Sequence, residues 1–169
     1  MKSDTEMIWD VLVHYCYLVD TAQFSKVPDA IFTADAVDEH GFGAIRGREA
    51  LREMFTGAGA AMEATVHTLS NHTAVIDGDT ARSRCYVTAW HWTRTSEDRD
   101  PLRPADFVMT GAYADHLQRI DGKWLISHRV CHVMGPMGVC IGSVTPALDD
   151  MVHNLAAAGA PADITARRR

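Results

Sequence analysis

A chain of 169 residues, 47% hydrophobic and 22% charged, is long enough for one domain with a substantial core, and its balance excludes wholesale disorder. The formal net charge of −6 argues against broad electrostatic capture of nucleic acid or an acidic membrane surface, and the arginines at 167–169 read as a solvated tail. No stretch approaches the roughly 20 apolar residues that span a bilayer, and Asp4, Glu6 and Asp10 break up residues 1–20, which lack a signal peptide's basic start and clean apolar run.

Residues 4–20 carry Met7, Ile8, Val11, Leu12, Tyr15, Leu18 and Val19 at helical spacing, the signature of an amphipathic helix that closes on Asp20. A second short helix fits residues 25–32, where Pro28 is tolerable only in the first turn. Residues 36–42 suit a short strand, after which Gly41, Gly43 and Gly47 punctuate a loop. Residues 48–62 return to helix formers, with Leu51, Met54 and Phe55 on one side.

Beyond Glu63 the pattern changes to strands: residues 65–77, 80–94, 106–120 and 123–134 are rich in β-branched and aromatic residues. Asp77-Gly78-Asp79 and Asp121-Gly122 are tight-turn signals, so neighbouring strands are expected to pair as antiparallel hairpins. Residues 96–104 form a polar, proline-containing loop. Residues 147–158 can form a last helix before a Gly/Ala/Pro tail. Helices first and a long antiparallel sheet after them indicate an α+β fold in one domain. Small residues at Ala81, Ser83, Cys85, Val87 and Ala89 alternate with Arg82, Arg84, Tyr86 and Trp90, a pattern compatible with a strongly bent sheet and a pocket beneath the helices. The four cysteines (Cys16, Cys85, Cys131 and Cys140) have no CxxC spacing and read as buried thiols in a reducing cytoplasm.

Asp20 and His67 are the most informative candidates. A carboxylate that accepts a bond from one imidazole nitrogen fixes the tautomer and leaves the other nitrogen as a general base. Such a pair moves protons without metal, cofactor or nucleophile. Arg129 alternates with Ser127 and Cys131, which predicts a shared face and a cavity wall; a structural ion pair is the competing reading. Tyr15 and Tyr17 carry phenols that can donate to a substrate oxygen or cap the core, and helical spacing puts Tyr17 nearer the Asp20 face. His128 and His132 share a strand face that His91 can approach, yet packing outweighs metal binding without a helical His/Glu motif. Trp90, Trp92, Phe107 and Met109 read as core or pocket lining. The glycines at 41, 43 and 47 are no phosphate loop, because no GK[ST] follows.

Four pieces of the chain, in order, carry a family likeness. They are the helix end Tyr15-Cys16-Tyr17-Leu18-Val19-Asp20, the loop Gly43-Ala44-Ile45-Arg46-Gly47-Arg48-Glu49-Ala50-Leu51, the strand from His67 through Asn71 into Asp77-Gly78-Asp79-Thr80-Ala81, and the hairpin Leu117-Gln118-Arg119-Ile120-Asp121-Gly122-Lys123-Trp124. Over roughly residues 5–135 the chain resembles the SnoaL-like branch of the NTF2-like superfamily, in particular its scytalone dehydratase, steroid dehydratase and dehydrochlorinase members. The resemblance implies a cone of about three N-terminal helices on a strongly curved, mainly antiparallel sheet. It implies a domain over residues 1–144, with residues 145–169 as an extension.

This fold hosts dehydratases, a dehydrochlorinase, isomerases, polyketide cyclases and non-catalytic oxygenase β-subunits, so fold does not settle reaction. In its lyase members an aspartate ending the first helix and a histidine starting the first long strand form a proton-transfer dyad, and Asp20 and His67 match those positions. Arg129 matches an arginine of the last strand that points into the cavity. Tyr15 matches a tyrosine five residues before the aspartate in steroid dehydratases. The expectation is a lyase of dehydratase type, with no cofactor and no metal, acting on a small hydrophobic, cyclic, carbonyl-activated substrate. An isomerase or cyclase is the nearest rival, and a non-catalytic binding module the rival of another class. Neither nucleic acid nor membrane is expected as a partner. The resemblance further suggests a homodimer or homotrimer, with the apolar residues 136–148 available to cover a neighbour.

Overall fold

The computed structural model describes residues 2–134 apart from Phe42, together with the backbone of residues 138 and 139. The first helix, α1 (Asp4–Asp20), starts where the Ser3 hydroxyl accepts the Glu6 backbone N–H while the Glu6 carboxylate accepts the Ser3 N–H. That reciprocal cap satisfies two orphan donors, and Asp4 and Glu6 complement the positive end of the helix dipole. Its inner face buries Ile8, Leu12, Tyr15, Cys16, Leu18 and Val19. At the other end the Thr21 N–H and hydroxyl both donate to the Tyr17 carbonyl, which stops the helix at Asp20. A 3-10 turn (Phe24–Lys26) leads into α2 (Val27–Ile31), with Pro28 in its first turn, where its missing N–H costs nothing.

Strand β1 (Phe32–Glu39) begins earlier than the strand expected at 36–42, because Phe32 and Thr33 are buried and Phe32 pairs with Ile126. Within the glycine loop, β2 (Ala44–Arg46) pairs with the end of β1. The third helix, α3 (Arg48–Ala61), packs through Leu51 and Phe55. Four long strands follow: β3 (Met62–Asp77), β4 (Thr80–Thr93), β5 (Phe107–Ile120) and β6 (Lys123–Val133). The sheet order is β2-β1-β6-β5-β4-β3, with β7 (Gly138–Val139) against β5. Only the β1–β6 pairing is parallel among the described strands. The three helices pack on this mixed, curled, unclosed sheet, which is the expected α+β cone.

Local chemistry explains the curl. Asp121 (φ 50°) and Gly122 (φ 76°) are both left-handed, as a two-residue hairpin following the strand twist requires. Asn71 (φ 52°) sits in a register break of β3 between Ser70 and Thr73, where the strand bends. A second break near His116 leaves Ser127 without a register partner on β5. Ile126 and Arg129 are both buried on either side of it. This bulge corrects the expectation that Ser127 shares the face of Arg129. The inward residues of β4 are Ala81, Ser83, Cys85, Val87 and Ala89, all buried, whose small side chains make room for the helices.

Trp90 and Trp92 point the other way and line a shallow groove on the outer face with Val66 and Val108, whereas Phe107 and Met109 face inward. His128 bonds Glu39 at 2.8 Å outside the cone, while His91 lines its interior, so these histidines do not converge. Among the described residues no group of His, Cys, Asp or Glu is placed to hold a metal ion. Cys16, Cys85 and Cys131 are free and buried. No described helix is long and apolar enough to cross a membrane. The expected helix at 147–158, the apolar segment 136–148 and Cys140 lie outside the described residues, apart from the backbone of 138 and 139.

Candidate active site

The end of α1 meets the start of β3. His67 Nδ1 lies 2.6 Å from Asp20 Oδ1, and the His67 backbone N–H donates to Asp20 Oδ2 at 2.9 Å. The Thr65 hydroxyl, two residues earlier on the same strand face, donates to Oδ1 at 3.0 Å. A carboxylate only accepts, so these bonds place a ring proton on Nδ1, and in the neutral imidazole the lone pair is then on Nε2. Thr65 was missed in the sequence, although its i, i+2 relation to His67 is the signal that finds it.

Both His67 and Thr65 line a cavity between α1, α3 and the sheet, with a water-accessible volume of about 80 Å³. Apolar walls come from Val19, Phe24, Met54, Phe55, Met62, Phe107 and Met109, and the polar lining from Tyr15, Thr65, His67, His40, His91 and Tyr113. A largely apolar chamber with a few convergent polar groups is the usual form of a small-molecule site.

Of the two candidate tyrosines, the structure brings Tyr15 to the cavity: it is buried, its ring meets the His67 ring edge-on at 6.3 Å, and Tyr17 is 57% exposed. Burial raises the Tyr15 phenol above its ordinary range, which keeps it a neutral donor. His91 is the cross-strand neighbour of Thr65, stacks on Phe107 at 4.1 Å and meets the His67 ring at 5.8 Å. Burial, with the His67 and His40 imidazoles beside it, lowers its pKa to about 3, so it is a neutral imidazole whose Nδ1 has no partner. Its place in the sequence extends the inward alternation of β4 that ends at Ala89, and that phase is the signal for it.

Arg129 stands behind the wall rather than in it. It is fully buried, with Nε and Nη2 each donating at 2.8 Å to the two oxygens of Asp115, its register partner on β5. Its guanidinium is sandwiched between the rings of Tyr15 at 4.4 Å and Tyr113 at 4.2 Å. The side chain is absent from the cavity lining, and only Nη1 lacks a partner. Burial opposes its charge, but Asp115 outweighs that cost and holds the guanidinium protonated.

The sequence pattern of the SnoaL-like domain matches residues 2–130. No curated protein matches significantly. Among solved structures, the chain is similar to a protein of Novosphingobium aromaticivorans provisionally named an aromatic ring hydroxylase, at 26% identity and a TM-score of 0.70, covering 88% of this chain and 96% of that one. A second protein of that organism, provisionally named a scytalone dehydratase, is 21% identical with a TM-score of 0.68, over 82% and 89% of the two chains. A hexachlorocyclohexane dehydrochlorinase is 17% identical with a TM-score of 0.65, over 83% and 93%. With a family pattern matched across most of its length and an NTF2-like cone for its structure, the chain belongs to the SnoaL-like domain family.

Proposed function

We propose that the protein is a cofactor-independent lyase of dehydratase type, removing water from a small, cyclic, carbonyl-activated substrate held in the cone. The observation that carries this reading is the 2.6 Å contact of Asp20 with His67 Nδ1 at the wall of an apolar cavity. In this reading His67 Nε2 takes the proton beside the substrate carbonyl, and Asp20 orients the ring and stabilises the imidazolium that forms. The Tyr15 phenol donates to the oxygen that becomes enolate-like. Arg129 acts through its neighbours, holding Tyr15 and Tyr113 in place from behind. A positioned base supplies about 10²–10⁴-fold and one preorganised donor about 10²–10³-fold. Together these suit a proton already acidified by a carbonyl. The resemblance to proteins named for a dehydratase and a dehydrochlorinase supports elimination over ring closure.

The test is turnover of a panel of one- and two-ring β-hydroxy ketones, followed by absorbance of the conjugated enone. His67→Gln is expected to fold and to lose at least about 10²-fold in kcat. Asp20→Asn should lose a similar factor, because its amide can turn its donor towards Nδ1, and the double variant should lose little more than either. A folded His67→Gln protein with unchanged turnover would refute the dyad.

A further inference from the structure

The cavity has a second polar end. Along β1 the inward residues Ala36 and Asp38 lead to His40, which follows the strand in the same alternation and lines the cavity. Asp38 is fully buried, and neither of its carboxylate oxygens has a hydrogen-bond partner. A buried carboxylate without donors is strongly unfavourable unless a cation faces it. Among the described residues the ion-pair contact it has is with His40, Nδ1 to Oδ1 at 3.5 Å, longer than a good hydrogen bond and suited to a charge contact. The His40 ring lies 5.6 Å from the ring of Tyr113, whose buried hydroxyl also lacks a partner. Tyr113 in turn meets Tyr15 at 5.8 Å, and Tyr15 meets His67 at 6.3 Å. The wall therefore runs His67, Tyr15, Tyr113, His40, with an aspartate behind the imidazole at each end.

We propose that His40, backed by Asp38, is the general acid of the pocket, delivering a proton to the departing hydroxyl while His67 removes the carbon-bound proton. The inference rests on the dehydratase reading above and adds to it the group that protonates the leaving oxygen. In the step, His67 Nε2 takes the α-proton, the C–H electron pair becomes the new C=C bond, and the C–O bond breaks. The His40 proton on the cavity side goes to the oxygen, which leaves as water. The products are a conjugated enone, water, protonated His67 and neutral His40, and proton exchange with water restores both imidazoles. Burial works against a charge on His40, while the groups around it, with the Asp38 carboxylate 3.5 Å from its Nδ1, outweigh burial and hold it well above its ordinary range. An acid must begin protonated, and this environment favours that form.

Two reactions on one protein separate the roles. Exchange of the α-protons of cyclohexanone in D2O needs the base and no leaving group, whereas dehydration of 3-hydroxycyclohexanone needs both. His40→Gln is expected to lower dehydration about 10²–10⁴-fold and to leave exchange within a few-fold of wild type. His67→Gln should lower both. Asp38→Asn, which keeps the imidazole but removes its counter-charge, should lower the dehydration-to-exchange ratio by a smaller factor, a ratio that damage to the fold alone does not move. Equal losses in both reactions for His40→Gln, or no loss in either, would overturn the acid role. Exchange retained in His67→Gln, or a wild-type protein inert in both reactions, would overturn the dehydratase reading itself.

Discussion

His91 shows how one buried side chain couples the site to stability. Burial, reinforced by His67 and His40, lowers its folded-state pKa to about 3, while an unfolded histidine titrates near about 6.5. Below about pH 6.5 the unfolded chain therefore binds a proton that the folded chain refuses until about pH 3, and stability falls as the solution is acidified through that window. The slope reaches at most about 1.4 kcal/mol per pH unit for this one group. His40 contributes with the opposite sign: its raised pKa adds stability that is fully present below about pH 6.5 and is lost as pH rises through its folded value. His91→Phe keeps a flat ring against Phe107 and removes the titrating group. Unfolding free energies from urea titrations at pH 7 and pH 4.5 should converge in this variant by about 2.5 kcal/mol relative to wild type. Equal acid losses in the two proteins would mean that folded His91 takes its proton much earlier.

At the scale of elements, strands β3 to β6 were legible because alternation and the two Asp-Gly turns are local signals. The departures all arise where tertiary contacts override local pattern. Phe32 and Thr33 join β1 because β6 lies beside them, which no neighbouring residue announces. The bulge at Ser127 shifts the phase of β6, so strict alternation wrongly put Ser127 on the buried face that Arg129 shares with Cys131. A helical wheel favoured Tyr17, yet Asp20 lies at the helix end and turns to β3, and the buried stripe of α1 passes through Tyr15. Asp20 and His67 were legible as residues, but their contact spans 47 positions and needed the fold. His40 lay inside the strand expected at 36–42, but its contact with the Tyr113 ring and its place on the cavity wall needed the fold. The cross-strand pair of β5 and β6 carries its own prediction. Arg129→Met strands Asp115 as a lone buried charge and should cost about 3–5 kcal/mol, whereas adding Asp115→Leu should recover most of that loss. Matching urea midpoints for the single and double variants would argue that the pair contributes no more than packing.

For the whole molecule, the cavity is what remains when three helices cover a curled sheet whose inward residues on β4 are small. That empty space is a stability cost retained for the site, since filling a cavity commonly gains about 0.5–2 kcal/mol. Ala58 lines the cavity from α3 and is only partly buried, so a larger side chain there can grow inward without disturbing the sheet. Ala58→Leu should raise the melting temperature by a few degrees, because about 1 kcal/mol shifts a domain of this size by about 2–4 °C. The same change should abolish ligand response. In the wild type, cyclohex-2-enone at about 100 times its Kd should add about 2.7 kcal/mol of stability, an upward shift of several degrees. In Ala58→Leu that shift should vanish together with turnover, because the ring and the leucine compete for one chamber. A variant that melts higher yet keeps the full enone shift would place ligand binding outside the cone and detach the Asp20–His67 pair from it.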